Sequence, residues 1–248
     1  MKAVSISNGE PSDYGSKDGK RQTVNELHIV SDGVIGSTEA VKRLAELDKA
    51  KILVISDTHR NHELCLKTIM DYGETCDALF HLGDGVQDIL YWIQRAFSDS
   101  TIQKKLPSVI FIVEGNLDPH LCSILKARFV SGMKKIDLVS LNFLSFLFVR
   151  VCRLKIMLTH GHLTNVKKDL AETARFAKVR GCSLCFFGHL HQRCDTIVEG
   201  VRMINPGCLM RYPKPEDDKG IAIFEVNTRG VSYVRMIKYD KEQDTIKT

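Results

Sequence analysis

The sequence predicts an α/β fold with stacked sheets. Three observations lead to it. Short apolar runs of strand length alternate with amphipathic stretches of helical length from about residue 50 onward. The carboxyl-terminal half is then rich in strands, with one helix-like stretch among them. Five of the apolar runs also stop abruptly at loops of Asp, Asn, Gly and His. Repeated strand–helix units that give way to strands argue for two sheets rather than one doubly wound sheet.

Residues 1 to about 24 are polar and rich in Gly, Ser, Asp and Lys, the composition of a flexible arm. TEAVKRLAELD (38–48) has helical spacing of its apolar positions, with Thr38 as the N-cap. Together these form an N-terminal extension over residues 1–48, and the globular domain spans 49–248. KILVIS (51–56), ALFHLG (78–83) and SVIFIVEG (108–115) read as strands, with helices over 62–73 and 86–97 between them. After a less regular stretch, FLSFLFV (143–149) and KIMLTH (155–160) read as two strands joined by a turn. A helix over 170–181 ends at Gly181. Strands follow at 183–189, 201–207, 220–227 and 231–239.

The chain has 248 residues, which suits one domain with an extension. Its 44% apolar and 26% charged content is that of a soluble globular protein. A formal charge of +5 fits a small anionic substrate and lacks the dense basic signature of a dedicated nucleic-acid binder. Eight irregularly spaced cysteines and an N-terminal region without an apolar stretch predict reduced thiols in a cytoplasmic protein. The CxxC of Cys182 and Cys185 has no second pair, so buried strand cysteines are expected rather than zinc or redox chemistry. Leu138 to Val151 is the most apolar segment, too short and too polar at Ser140, Asn142 and Ser145 to cross a membrane. It reads as a buried strand or a contact between copies of the chain.

The chemistry falls at strand ends. The first strand ends in Ser56-Asp57-Thr58-His59, and the second in Gly83-Asp84, with Asp88 completing GDxxxD. The third ends in Gly115-Asn116-Leu117-Asp118, and later strands end in Thr159-His160-Gly161-His162 and Gly188-His189-Leu190-His191. Singly, each has a structural reading. Asp84 suits a helix N-cap, Asn116 a turn, and the histidines suit buried hydrogen bonds. Jointly they read as one site, because ligands in layered α/β proteins bind at the carboxyl ends of the strands. Carboxylate, imidazole and amide oxygen suit borderline divalent ions such as Mn, Fe, Ni, Co or Zn. Asp57, His59, Asp84, Asn116, His160, His189 and His191 are too many ligands for one ion. They suit two ions if one carboxylate bridges them.

The motifs DTH, GDGVQD, GNLD, THGH and GHLH, with NPGC at 205–208, resemble those of the calcineurin-like metallophosphoesterase superfamily. The likeness covers about residues 50 to 237 and is similar to the small YfcE-type and archaeal phosphodiesterase branch, with Vps29 as a relative. The resemblance implies two stacked mixed sheets, a β-sandwich, flanked by helices in four layers. It implies that Asp57, His59 and His191 hold one metal, Asn116, His160 and His189 the other, and that Asp84 bridges them. Manganese is the expected ion. The implied activity is hydrolysis of phosphodiesters, and of monoesters, by a hydroxide that bridges the metals.

Three positions depart from the pattern, of which Leu190, in place of the common Thr of GHTH, is expected to change little. Leu117 stands where many family phosphatases carry a histidine proposed as acid, which leaves His162 as the candidate acid, with a structural hydrogen bond as its alternative. Arg60 replaces a common Gly and either meets the substrate phosphate or lies solvated in its loop. The rival functions are a catalytically silent Vps29-like interaction scaffold and a nuclease. The complete ligand set argues against the first, and the lack of a large basic lobe against the second. A small phosphate-ester substrate, no membrane and self-association through 138–151 complete the expectation.

Overall fold

A computed structural model describes residues 23–130, 133–230, 232–239 and 246–247. The chain opens with a hairpin of His28–Ser31 (β1) and Val34–Gly36 (β2), then helix Thr38–Glu46 (α1). Strand Lys49–Ile55 (β3) leads to helix His62–Tyr72 (α2), and Ala78–His81 (β4) to Val86–Ala96 (α3) and Ser100–Lys105 (α4). Val109–Ile112 (β5) precedes a long hairpin of Leu121–Val130 (β6) and Met133–Asn142 (β7). Then come Phe146–Val151 (β8), Leu154–Thr159 (β9), helix Ala171–Val179 (α5), Leu184–Phe187 (β10), Arg193–Val198 (β11) and Val201–Pro206 (β12). Gly220–Asn227 (β13), Ser232–Tyr239 (β14) and Ile246–Lys247 (β15) close the chain.

One sheet runs β1-β2-β5-β4-β3-β13-β14-β15, and a second runs β11-β12-β10-β9-β8. Both are mixed. β3, β4 and β5 are parallel at the centre of the first, and β9, β10 and β12 at the centre of the second. Side-chain alternation then builds the layers. Ile52 and Val54 of β3 face the second sheet with Phe80, Phe111, Phe186 and Phe224, whose rings meet edge to face. Leu53 and Ile55 face the other way, onto Ile69 of α2 and Ile89 and Ile93 of α3. Met157, Cys185 and Phe187 on the far side of the second sheet pack on Ala174 and Ala177 of α5. The result is the expected sandwich flanked by helices. Truncating Phe186 to Ala in the middle layer would cost about 3–5 kcal/mol.

Three elements differ from the sequence reading. The N-cap of α1 is Ser37 rather than Thr38: Ser37 is extended at φ −137°, and its hydroxyl accepts from Ala40 N at 3.3 Å, while Thr38 already lies in the helix. The region set apart as an extension is continuous with the sheet from β1 onward. β2 pairs with β5, and Leu44 of α1 is buried in the layer between the sheets. Residues 1–22, read as a flexible arm, lie outside the described residues. Asp32-Gly33 is a turn signal for the β1–β2 hairpin, with Gly33 at φ +67° against the Ile112 carbonyl. The stretch after Asp118 is the regular β6–β7 hairpin, and the apolar run 138–151 is shared between the end of β7, a turn and β8. No helix among the described residues is long and apolar enough to cross a membrane.

Candidate metal centre

The parallel strands of both sheets end on one side of the sandwich, and their loops interlock there. His160 Nδ1 donates to Leu82 O at 2.7 Å, Gly188 N to His160 O at 3.2 Å and His189 N to Asp57 Oδ2 at 3.1 Å. These loops are bent. Among the described residues eleven other than glycine have positive φ, and Asp57, His59, Asp84, His189 and His191 are five of them. Each such residue costs on the order of 1–3 kcal/mol unless its surroundings fix it. Asp118 supplies much of that fixing. Its Oδ1 accepts from Gly85 N and Val86 N, both at 2.9 Å, and its Oδ2 from Asp84 N at 2.6 Å and Gly115 N at 2.9 Å. It therefore caps α3 from another loop, a task that was the structural alternative for Asp84. Asp88 Oδ2 takes Thr58 Oγ1 and Arg60 N, which holds the Asp57–His59 loop. Asn205 donates to Gly188 O at 2.8 Å and holds the His189–His191 loop.

Six of the seven expected ligands converge in two groups, Asp57, His59, His191 and Asp84, His160, His189. In the first, His191 Nε2 lies 3.2 Å and His59 Nε2 3.7 Å from Asp57 Oδ1, and the two Nε2 atoms are 3.2 Å apart. In the second, His160 Nε2 lies 3.4 Å from Asp84 Oδ2 and 3.2 Å from His189 Nδ1. Asp84 Oδ2 is also 3.9 Å from His59 Nε2, so this oxygen faces both groups.

The donor set fits divalent ions. Each carboxylate gives one oxygen to the protein and turns the other inward. Asp57 Oδ2 takes Ser56 Oγ and His189 N, and Asp84 Oδ1 takes Leu117 N. Asp57 Oδ1 is buried without a hydrogen-bond partner. His160 donates through Nδ1 to a carbonyl, which leaves the Nε2 lone pair pointing at Asp84 and His189. Lone pairs this close repel unless a cation or proton lies between them. The acid–base balance reflects that need. Burial would raise Asp57, but the imidazoles of His191 and His59 beside it bring it well below the usual carboxylate range. Asp84 is lowered, against burial, by His160. The neighbouring Asp57 raises His59, and Asp84 and Asp57 raise His160 against its burial. Burial and the charge of His160 push His189 down to about 4.

Comparison with known proteins agrees with this arrangement. The calcineurin-like phosphoesterase superfamily domain matches residues 50–229. The chain belongs to that superfamily, a family of metal-dependent phosphoesterases. It is 27% identical over 175 residues to the probable metallophosphoesterase YsnB of Bacillus subtilis, a match that covers 69% of this chain and 82% of the relative. It is 25% identical over 158 residues to phosphodiesterase MJ0936 of Methanocaldococcus jannaschii, covering 63% and 82%. Among solved structures, Vps29 of Cryptosporidium parvum superposes with a TM-score of 0.54 at 16% identity, over 81% of this chain and 96% of that one. The last likeness shows the fold alone.

The remaining site residues are Asn116, His162 and Arg60. Asn116 is exposed in the loop after β5. Its neighbours hold it at the cleft, since Gly115 packs on Asp84 and Leu117 N binds that carboxylate. His162 borders the second group, its ring 5.5 Å from that of His160 and 6.3 Å from that of His189. Its Nδ1 is buried without a partner, and burial together with His160 lowers its pKa. The Arg60 backbone is held by Asp88 and its side chain is exposed. Cys182 and Cys185 are buried among apolar side chains, and neither metal-competent group contains a cysteine. Sequence reasoning missed the holding roles of Asp118, Asn205 and Asp217, whose carboxylate lies 3.6 Å from His191 Nδ1. The GNxD and NPG spacings carried the signal for the first two.

Proposed function

We propose that this chain hydrolyses phosphodiesters, and phosphomonoesters more slowly, at a centre of two divalent ions. In this reading Asp57, His59 and His191 hold one ion, Asn116, His160 and His189 hold the other, and Asp84 spans both. The observation that carries it is the pair of inward carboxylate oxygens, Asp57 Oδ1 and Asp84 Oδ2, each facing imidazole nitrogens of both groups. Manganese is the ion of this reading, since a mixed oxygen and imidazole donor set suits it. When bound, such ions supply Lewis acidity toward phosphate oxygens and a water acidified to near neutral pH. The chain's own part is orientation. Leu82 O fixes the His160 tautomer, Asp217 backs His191, and Asp118 sets the Asp84 backbone. Prepositioned ligands of this kind would need no rearrangement as charge builds on the phosphoryl and leaving oxygens.

Eight free cysteines, most of them buried, support placement in a reducing compartment such as the cytoplasm. The converging side chains favour hydrolysis over a silent scaffold, for which the likeness to Vps29 supplies only the fold. Turnover of bis-p-nitrophenyl phosphate and p-nitrophenyl phosphate, metal by metal, tests the reading. The expected result is faster hydrolysis of the diester with manganese, and none by Asp84→Asn. Silence with Mn, Ni, Co, Fe and Zn would sink the enzyme reading, and full activity of Asp84→Asn would sink the site. Cleavage of single-stranded oligonucleotides in preference to the small diester would point to a nuclease instead.

A further inference from the structure

A second polar cluster beside the two groups is left unused by that reading. Glu114 follows β5 and is only 4% exposed. Its Oε1 accepts from Ser145 Oγ at 2.6 Å, and its Oε2 meets His120 Nδ1. The His120 side chain is 87% exposed, so its Nδ1 is anchored while its Nε2 faces solvent. The His120 backbone is pinned as well, because its carbonyl accepts from Phe143 N at 3.0 Å. A carboxylate this buried is costly unless donors satisfy it, and Glu114 has found two on different loops.

The cluster sits on the His160 side of the cleft. Ser145 O accepts from Thr159 Oγ1 at 2.9 Å, one residue before His160. Gly83 separates Gly115 from His160 so narrowly that a Cβ there would lie 2.7 Å from Gly115 N and 2.9 Å from His160 Nδ1. Glu114 directly precedes Gly115 in that loop, and the His162 ring packs by His160 and His189. Leu117, 68% exposed on the same loop, offers no proton. An imidazole held through Nδ1 by a buried carboxylate has a fixed orientation, with Nε2 left to meet a substrate.

We propose that His120, oriented by Glu114 and Ser145, donates the proton that the departing alcohol needs. The proposal rests on the phosphoesterase reading above. As the bond between phosphorus and the leaving oxygen breaks, its electron pair goes to that oxygen, and the proton on His120 Nε2 follows. The product is a neutral alcohol. Water supplies the new oxygen on phosphorus and loses a proton to solvent, from which His120 is recharged. A donor of this kind matters most for alkyl or unactivated leaving groups, and an acidic phenol departs without it. The substrates it suits are therefore phosphate esters of ordinary alcohols.

The test compares His120→Gln with the unaltered full-length chain on p-nitrophenyl methyl phosphate and phenyl methyl phosphate, both with manganese. The expected kcat/KM for the phenyl ester falls about 10²-fold, while that for the p-nitrophenyl ester stays within about threefold. Glu114→Gln should show the same split at about tenfold, since it acts through His120. Manganese binding by calorimetry and the melting temperature should be unchanged in His120→Gln, which separates proton donation from damage to the centre. Equal losses on both esters, no loss on either, or the split appearing in His162→Gln instead would overturn the proposal. If the unaltered chain hydrolyses neither ester with Mn, Ni, Co, Fe or Zn, the phosphoesterase reading falls and this proposal falls with it.

Discussion

The ligand loops and the β6–β7 hairpin meet at Asp118, and they bend the usual rules of structure in opposite ways. In the loops the backbone is strained and the side chains are polar and buried. Asp57 and Asp84 carry positive φ at almost no exposure. In the hairpin the backbone is regular, with ten paired positions, yet Leu121, Leu125, Ile136 and Leu138 stand in solvent on one face. Only the opposite face, through Ile124 and Leu141, packs on α3. The difference teaches where each departure is tolerated. Strain persists where several hydrogen bonds over-determine a loop, as Asp118 does for Asp84. Exposed apolar surface persists where the other face of the ribbon already anchors it.

The largest effects should fall on the loops. Asp84→Asn removes the charge from a carboxylate that faces both groups, and kcat/KM should drop at least ~10³-fold, about 4 kcal/mol of transition-state stabilisation. Leu138→Ser, a bolder change in polarity on the hairpin, should leave turnover within about twofold, as expected for a surface change that touches no ligand. Comparable losses in the two would erase the distinction between the regions. Asp118→Ala should come next. It strips the acceptor from the N–H groups of Asp84, Gly85, Val86 and Gly115. Activity should fall about 10–100-fold, as for other residues that orient ligands from behind. Stability should fall by about 1–3 kcal/mol, read by urea denaturation of the metal-free protein. A stability loss with undiminished metal affinity would mean that Asp118 caps α3 and does nothing for the centre.

This contrast also explains what could be read in advance. Aspartate and histidine directly after a buried apolar strand are improbable for packing alone, so the loops announced themselves and most strands and helices followed from periodicity. Asn116 was read from the same GNLD, in the loop whose Gly115 packs on Asp84. Asp118 was seen only as the last letter of GNLD. Its role depends on backbone N–H groups about thirty residues earlier in sequence, which no local pattern reveals. The hairpin was opaque for a different reason. Apolar residues occupy both faces near 121–125 and 136–141, so the alternation that marks a half-buried strand is absent. The β1–β2 hairpin was short enough to be absorbed into a polar region, although Asp32-Gly33 marked its turn.

The two faces of the long hairpin give the next test. Ile124→Ala should destabilise by about 2–4 kcal/mol, because the side chain is buried against α3. Leu138→Ser on the outer face should stay within about 0.5 kcal/mol in the isolated chain. Chemical denaturation at low protein concentration measures both. Matching losses would show that the outer face is covered by something other than water.

The smallest expected effect concerns that covering. Leu125 and Leu138 are direct cross-strand partners, both exposed. A ribbon with one anchored face and one apolar face in solvent is a surface on which a second copy could pack. If copies do pair there, the double change Leu125→Ser and Leu138→Ser should lower the mass measured by light scattering from dimer to monomer. Turnover per chain should not change, because neither residue reaches the ligand loops. A wild-type chain that is monomeric at every concentration measured would remove self-association from the picture. The centre would be untouched by that result, since the contacts described for it lie within one chain.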